Sequence, residues 1–414
     1  MSVSTPSQSL NPISTVSSSK SFKSGFILMS SLFFMWGAIV SLNDILIPHL
    51  KSLFSMNYAE TMLIQFCYFL AYFTMAVPAS MVIGKIGYKR GIVLGLSIVG
   101  IGCLLFLPAS YIISYGLFLL GLIVMATGSV FLQVVANPYV LILGPPETAS
   151  SRLNLAQGIN SLATTIAPLI GAYLILGKFA NNADHAASVR GTYIGLALFA
   201  FLTASIFAVL KLPEIKGTSS KRIKGNVFGY RQLRLGVIAL TLYVGAEVSI
   251  GSFIVSYLGQ PYIAGLDMQT AAKYIPLYWG GLMIGRFIGS AILQKFSAQK
   301  VLVCSATTAF GFIALTILTH GAVSMWAMLM VGLFNSIMWS NIFALSIDGL
   351  GDLTIKASGV LMMAPIGGAI FPLMQGLLAD SVITLKYSYV LPLLCYLFIF
   401  YYGFRGYKPS KEII

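Results

Sequence analysis

Two acidic residues stand inside long apolar stretches of the chain, where acidic side chains are unfavourable. Asp44 lies within residues 41–48 and Glu247 within residues 243–252. In a bilayer, a charged side chain at mid-depth costs about 2.5–3.5 kcal/mol on the insertion scale. The pattern places no Lys or Arg at the same depth, which argues against a structural ion pair. Because a buried carboxyl takes up a proton readily, or binds Na⁺ with neighbouring oxygens, we interpret both residues as coupling elements for a cation.

Amide side chains form a second group of candidates. Gln133 and Asn137 are four residues apart, so they share one face of a helix, and Gln157, Asn160 and Thr164 continue such a stripe on another segment. Sugars carry many hydrogen-bond donors and acceptors, and a pocket lined by amides matches them. We therefore predict that the amides bind substrate hydroxyls. The other amides assigned to this site are Asn43, Gln65 and Asn335.

Aromatic rings complete the predicted substrate site. A flat ring against the apolar face of a pyranose is a common way to hold a sugar, and Tyr243, Trp279 and Trp339 lie within apolar segments. The four cysteines and three histidines are scattered along the chain, so the pattern predicts neither a disulfide framework nor a metal site. It contains no nucleophile–base motif. We expect a binding protein without cofactor or catalytic residues, rather than an enzyme.

The composition indicates that lipid surrounds most of the chain. Of the 414 residues, 57% are apolar and 9% are charged, against about 25% charged in soluble domains. This excludes an ordinary cytosolic enzyme, and the net charge of +14 does not indicate nucleic-acid binding, because the basic residues form short clusters between apolar runs. Twelve segments reach the length of a spanning helix. They are 25–50, 58–83, 91–108, 113–143, 150–176, 191–211, 232–259, 270–293, 299–318, 323–347, 354–380 and 387–406.

Basic residues predict the orientation of these spans. With both termini inside, twenty of the 25 Lys and Arg residues, Arg286 among them, are assigned to the inner side. This split predicts a multi-pass protein of the inner (plasma) membrane with cytoplasmic termini. Five basic residues fall on the outer side: Lys51, Lys178, Arg190, Lys273 and Lys386.

A basic polar connection near the middle of the chain divides the spans into two sets of six, which is typical of duplicated transporter halves around a central cavity. The predicted parts are a disordered cytosolic tail (1–24), an N-terminal six-helix bundle (25–211), a cytosolic linker (212–231), a C-terminal six-helix bundle (232–406) and a cytosolic C-tail (407–414). In the eighth span, glycines at 281, 285 and 289 predict a close approach between helices.

Five short motifs carry a family resemblance. They are Asn-Asp-Ile-Leu-Ile-Pro at 43–48, Ala-Asn-Pro at 136–138, Arg-Leu-Asn-Leu-Ala-Gln and Asn-Ser within 152–161, Tyr-Val-Gly-Ala-Glu at 243–247, and Gly-Leu-Leu-Ala-Asp at 376–380. With these motifs the chain resembles the major facilitator superfamily, and within it the fucose–galactose–glucose permeases. The resemblance covers nearly the whole chain after the tail. It implies an all-α membrane fold of twelve spanning helices in two pseudo-symmetric bundles.

The same resemblance implies sugar uptake coupled to a cation through rocking of the two halves. The family's carboxylate in the first helix matches Asp44. Fucose-type members carry an acid in the fourth helix where this chain has Gln133, and a glutamine where it has Glu247. This exchange resembles the glucose/galactose branch. The expected function is therefore hexose uptake by symport with H⁺ or Na⁺.

Several alternatives stay open from the sequence. Close relatives transport L-fucose or N-acetylglucosamine with H⁺, so both sugars are alternative substrates. A proton-driven drug exporter is a rival, although it would need a mainly apolar pocket. A sugar sensor that does not transport is another, although the tails offer little room for a signalling domain. The expected partners are a small-molecule sugar and the lipid bilayer, without nucleic acid, for a protein that is a monomer.

Overall fold

Helices dominate the computed structural model of the chain. It describes the backbone of residues 19–53, 58–112, 114–172, 185–210, 226–380 and 384–409, and the side chains of 23–39, 41, 66–112, 114–167, 190–210, 226–380 and 384–409. The first six helices are α1 (Ser19–Leu53), α2 (Tyr58–Ile86), α3 (Tyr88–Ile112), α4 (Tyr115–Ile142), α5 (Ala149–Ala172) and α6 (His185–Val209). Within this half, α3 packs against α4 and α6, α1 against α5, and α2 against α4.

The second half contains the same number of spans, of which four are divided into two helices. The helices are α7 (Arg231–Leu258), α8 (Met268–Ala272), α9 (Ile275–Ile292), α10 (Ala298–Leu318), α11 (Gly321–Asn335), α12 (Met338–Ile347), α13 (Thr354–Leu361), α14 (Gly367–Asp380), α15 (Leu385–Ser388) and α16 (Val390–Tyr401). Here α7 packs against α12, α14 and α16, while α11 packs against α9 and α10.

The lengths and surfaces of the helices suit a membrane. In the described part of the chain, nine helical stretches are long and apolar enough to cross a bilayer, and α1, α5 and α9 complete a set of twelve. Leu198 and Leu202 of α6, and Leu373 and Leu377 of α14, expose 61–67% of their surface. Large apolar side chains exposed one helical turn apart indicate contact with lipid. The predicted all-α fold of twelve spans in two bundles is confirmed.

The division of four spans into two helices each is a feature of the structure that the span ranges alone did not predict. Pro276 stands at the start of α9, and Pro365 lies in the 3₁₀ turn between α13 and α14. Proline ends a helix because it lacks the N–H that the helical ladder needs. The break between α11 and α12 contains no proline. There the Ser336 hydroxyl donates to the Leu333 carbonyl at 2.6 Å, and the Ser336 carbonyl accepts from Arg286 at 3.4 Å.

The predicted N-terminal tail and the predicted linker do not end where the neighbouring helices begin. Helix α1 begins at Ser19, within the predicted tail, so the helix continues beyond its apolar portion. The described end of the predicted linker forms a 3₁₀ turn at Val227–Gly229, and α7 follows at Arg231. The rest of the tail and of the linker, and residues 410–414, lie outside the described residues.

The predicted glycine contact lies between α9 and α11. A Cβ atom at Gly285 would lie 2.5 Å from the carbonyl oxygen of Leu333, and one at Gly332 would collide with the backbone of Tyr278. At Gly285 and Gly332, backbone atoms of one helix therefore come within contact distance of the other helix. This is the packing that small residues at helical spacing permit.

We expect Gly285→Ala to destabilise the C-terminal bundle, because the added methyl group would overlap α11. Overpacking of this kind costs about 1–3 kcal/mol. The measurement is the melting temperature of the purified protein in detergent. Gly280→Ala is the matched control, because a Cβ atom there meets nothing within 4 Å. Equal melting temperatures for the two variants would contradict the contact.

The two halves meet toward one end of the bundle, the end at which α6 ends and α7 begins, here named the linker end. On α5 and α9, the Ser151 hydroxyl donates to the Ser290 carbonyl at 2.7 Å, and the Ser290 hydroxyl donates back to the Ser151 carbonyl at 3.0 Å. The Ser358 hydroxyl of α13 donates to the Val134 carbonyl of α4 at 3.1 Å. These bonds close the linker end.

Candidate functional site

A polar cluster joins α2 and α4 in the N-terminal half, and its Gln133 also lines a crevice between α1 and α4. The Gln133 amide donates to the Tyr72 hydroxyl at 2.6 Å, and the hydroxyls of Tyr72 and Tyr68 are 3.1 Å apart. The crevice is too narrow to hold a water molecule, so it is far smaller than a typical ligand pocket. The bundle is therefore nearly closed around it. Its lining residues are Leu32, Phe33, Trp36, Leu132, Gln133 and Ala136.

The two predicted amide stripes on α4 and α5 meet. The Gln157 amide donates to the Asn137 side-chain oxygen at 3.4 Å, and the Asn137 amide contacts the sulfur of Met362 in the other half at 3.8 Å. On α5, the Asn160 amide donates to the Phe33 carbonyl of α1 at 2.8 Å. None of the three amides is more than 8% exposed. Helical spacing thus brings together side chains that the sequence predicts to bind one ligand, although binding itself stays a prediction.

In the C-terminal half, three tyrosines surround Asn335. The Asn335 amide donates to the Tyr278 hydroxyl at 3.0 Å, and its side-chain oxygen accepts from Tyr396 at 2.7 Å. The Tyr243 hydroxyl donates to the Asn335 carbonyl at 3.0 Å. All four residues are fully buried. Asn335 and Tyr243 are both predicted to bind substrate. In this conformation their side chains form hydrogen bonds within the protein instead.

Glu247 lies beside this tyrosine network. Its backbone carbonyl accepts from the Tyr278 hydroxyl at 3.1 Å. Its half-buried carboxylate interacts with the Tyr243 hydroxyl and is attracted by the guanidinium of Arg286. The assignment of Arg286 to the inner side, with no basic residue near Glu247, is therefore wrong. Arg286 lies inside α9, within reach of the opposite half.

The two predicted tryptophans lie on the same half. Trp279 is 42% exposed, and its ring meets that of Tyr278 edge to face, with centroids 5.3 Å apart. Trp339 is half-buried and stacks on Phe343 with centroids 5.2 Å apart and 7° between the planes. One face of the Trp339 ring is thus covered by Phe343. Their contact with a sugar stays a prediction.

Three predicted residues have side chains outside the described residues. Asn43 and Asp44 belong to α1, and Gln65 belongs to α2. Nearby on α1, the Ser41 hydroxyl donates to the Thr164 carbonyl of α5 at 2.9 Å. The backbone of this part of α1 therefore packs on the helix that carries Gln157 and Asn160.

Sequence reasoning missed two residues of the site, Arg286 and Tyr396. Arg286 stands inside the eighth predicted span, and a count of residues from the ends of that span would have indicated its depth. Tyr396 lies in a strongly apolar segment and carries no comparable signal. Among the described residues, no group of three or more His, Cys, Asp or Glu side chains could hold a metal ion.

Comparisons with known proteins agree with this architecture. The family described as "Major Facilitator Superfamily" matches residues 25–372. The "Glucose/galactose transporter" of Brucella abortus is 48% identical over 96% of this chain and 98% of its own length. The "L-fucose-proton symporter" of Escherichia coli is 31% identical over 93% of each chain. The crystal structure of the transporter FucP "in the outward conformation" superposes with a TM-score of 0.87 at 31% identity, covering 94% of this chain and 100% of that one.

Proposed function

Because this chain belongs to the major facilitator superfamily, we propose that it is a secondary transporter that takes up a hexose of the glucose/galactose type with H⁺ or Na⁺. The observation that carries this proposal is the 48% identity, over nearly the full length, to a protein named glucose/galactose transporter. The family resemblance seen in the sequence is confirmed. The chain is a transporter rather than an enzyme, like its relatives.

The amides at the centre of the fold suit a ligand with many hydroxyl groups. Gln133, Asn137, Gln157 and Asn160 belong to helices next to the interface of the two halves, and each already holds a hydrogen bond within the protein. A sugar that enters the crevice would exchange these bonds for bonds to its hydroxyls. Such a site rejects apolar ligands, because they would leave buried amides without partners. This argues against the drug exporter.

Transport would follow from alternating closure of the two ends. The hydrogen bonds across α5 and α9 and across α4 and α13 close the linker end. Opening it requires the two halves to rock about the central site, as in other transporters built from two repeats. Sugar and cation together would favour the state that reorients.

The coupling ion would act on Asp44 and Glu247. Protonation, or pairing with Na⁺, removes a negative charge that is unfavourable at mid-depth. Asp44 would be the main coupling carboxylate, and Glu247 would share the coupling beside Tyr243 and Arg286. The transport cycle needs no cofactor besides this ion.

The location follows from the same physical arguments. The positive-inside distribution would place both termini and the linker end on the cytoplasmic side of the inner membrane. The linker-end closure then corresponds to a protein closed toward the cytoplasm. A lipid-facing surface on both halves suits a monomer in the bilayer.

Uptake of labelled D-glucose into proteoliposomes tests the proposal. We expect accumulation above the external concentration under either an imposed proton gradient or an imposed Na⁺ gradient, and the effective gradient identifies the ion. Liposomes without protein and labelled L-glucose are the controls. Absence of D-glucose accumulation under both gradients would refute glucose symport. The next substrates would then be D-galactose, L-fucose and N-acetylglucosamine.

A further inference from the structure

The guanidinium of Arg286 crosses from the C-terminal half to the N-terminal half. On α5, its Nη1 donates to the Gln157 carbonyl at 3.3 Å and to the Ser161 hydroxyl. Its Nε donates to the Ser336 carbonyl, at the break between α11 and α12, at 3.4 Å. One side chain therefore joins α9, α5 and the interrupted tenth span.

This bridge lies in the middle of a continuous seam between α5 and α9. On one side of it, the Thr165 hydroxyl contacts the sulfur of Met283 at 3.7 Å. On the other side, Ser151 and Ser290 exchange hydrogen bonds toward the linker end. Arginine is the charged group within this run of neutral contacts. Its position lets it influence whether the seam is closed.

The α5 groups that accept hydrogen bonds from Arg286 lie beside the amide stripe. The Gln157 backbone carbonyl accepts a hydrogen bond from Arg286, while the Gln157 side-chain amide donates to Asn137. Ser161 is the residue directly after Asn160. A sugar bound to these amides would contact the same turn of α5 that the guanidinium holds. Sugar binding and the Arg286 bridge therefore involve the same turn of α5, so that each would affect the other.

The carboxylate of Glu247 is the second group that acts on Arg286. Charged and titratable side chains face it from three helices: Tyr243 on α7, Tyr278 and Arg286 on α9, and Tyr396 on α16. Arg286 is the cation among them. An ionised Glu247 draws the guanidinium toward α7, whereas a neutral Glu247 leaves it to the oxygens of α5 and Ser336.

We propose that Arg286 is a positioning residue that links the charge of Glu247 to closure of the linker end. Neutralisation of Glu247 by the cation strengthens the bridge to α5, so a protein loaded with cation alone stays closed at that end. Sugar on Gln157 and Asn160 then loosens the bridge and permits reorientation. Arg286 thereby prevents leakage of the cation without sugar. This inference rests on the proposed function.

Disulfide cross-linking of α5 to α9 measures closure without any substrate. The hydroxyl oxygens of Ser151 and Ser290 are 3.2 Å apart, so cysteines there are close enough to bond. The variant S151C/S290C is made in a protein whose native Cys67, Cys103, Cys304 and Cys395 are replaced by serine. In this background we expect Arg286→Gln to slow cross-linking by about five-fold or more, the lower range of coupling between sites.

Arg190→Gln is the matched control, because it also removes a guanidinium. Arg190 donates to the Ser110 hydroxyl at 3.2 Å and lies over the Tyr111 ring at 3.9 Å, within one half. We expect its cross-linking rate to equal that of the parent. Arg286→Lys keeps the positive charge but loses the planar guanidinium with its several N–H donors. We therefore expect a cross-linking rate between those of the parent and Arg286→Gln.

A double-mutant comparison tests the link to Glu247. Glu247→Gln removes the negative charge, so cross-linking should become faster with Arg286 present and should not change in the Arg286→Gln background. In proteoliposomes, Arg286→Gln should conduct the coupling ion without sugar, whereas Arg190→Gln should not. The proposal would be overturned if Arg286→Gln cross-linked at the rate of the S151C/S290C parent. It would also be overturned if Glu247→Gln still changed the cross-linking rate in the Arg286→Gln background.

The symport proposal and the Arg286 proposal can be refuted independently of each other. Cross-linking depends on closure alone, so it would still report the Arg286 bridge in a protein that does not accumulate glucose. Conversely, glucose accumulation by the wild-type protein with unchanged cross-linking in Arg286→Gln would keep the symport and reject the bridge. If Arg286→Gln is not recovered as a monodisperse protein, the comparison of Arg286→Lys with Arg190→Lys decides the same question.

Discussion

Replacing Asp44 with Asn is expected to abolish uphill sugar uptake while sugar exchange between the two sides continues. The amide keeps the shape of the side chain and imitates the protonated acid, so the protein can still reorient with sugar. It can no longer gain and lose a charge, which removes the link to the cation gradient. One charge moved through 100 mV supplies about 2.3 kcal/mol, or about a fifty-fold accumulation. The accumulation ratio of Asp44→Asn should fall to about one.

The measurement pairs gradient-driven uptake with counterflow in the same proteoliposomes. Asp352→Asn is the control, because Asp352 is exposed in the 3₁₀ turn Gly351–Leu353 and carries the same chemical change. We expect the control to accumulate sugar like the wild type. Accumulation by Asp44→Asn at the wild-type ratio would remove Asp44 from the coupling mechanism, and loss of counterflow as well would indicate a structural role.

Replacing Glu247 with Gln is expected to lower gradient-driven accumulation about ten-fold with little change in the KM of exchange. The carboxamide retains an oxygen that can accept from Tyr243. It removes the charge that attracts Arg286, so Arg286 no longer responds to binding of the cation. If the carboxylate of Glu247 instead accepts a hydrogen bond from a sugar hydroxyl, the substitution removes a charge-assisted hydrogen bond worth about 1.5–3 kcal/mol. In that case the KM of exchange would rise by about ten-fold or more.

Concentration-dependent counterflow, together with uptake under the effective gradient, separates these two roles of Glu247. Glu147→Gln is the matched control, since Glu147 lies in the exposed 3₁₀ turn Pro146–Thr148 and should leave both quantities unchanged. A raised KM with normal accumulation would assign Glu247 to sugar binding. Unchanged KM and unchanged accumulation would exclude it from both roles.

Local patterns in the sequence predicted the class of fold and part of the site. The run lengths of apolar residues reflect the thickness of the bilayer, so the twelve spans follow from the order of apolar and polar residues along the chain. The spacing of Gln133 and Asn137, and of Gln157 and Asn160, reflects the helical period, which places each pair on one face. The glycines around Gly285 predicted a close contact because small side chains permit it, although not that α11 is the partner.

The tertiary structure decided which faces meet and which polar groups find partners. Asn335 is an amide like Gln157, but three tyrosines from α7, α9 and α16 enclose it. Arg286 finds two of its acceptors on α5, more than a hundred residues away in sequence. Apolar run lengths and helical spacing are properties of a single segment in its solvent, and the sequence determines them directly. The partners of a buried amide or guanidinium depend on how separate helices pack, and no single segment contains that information.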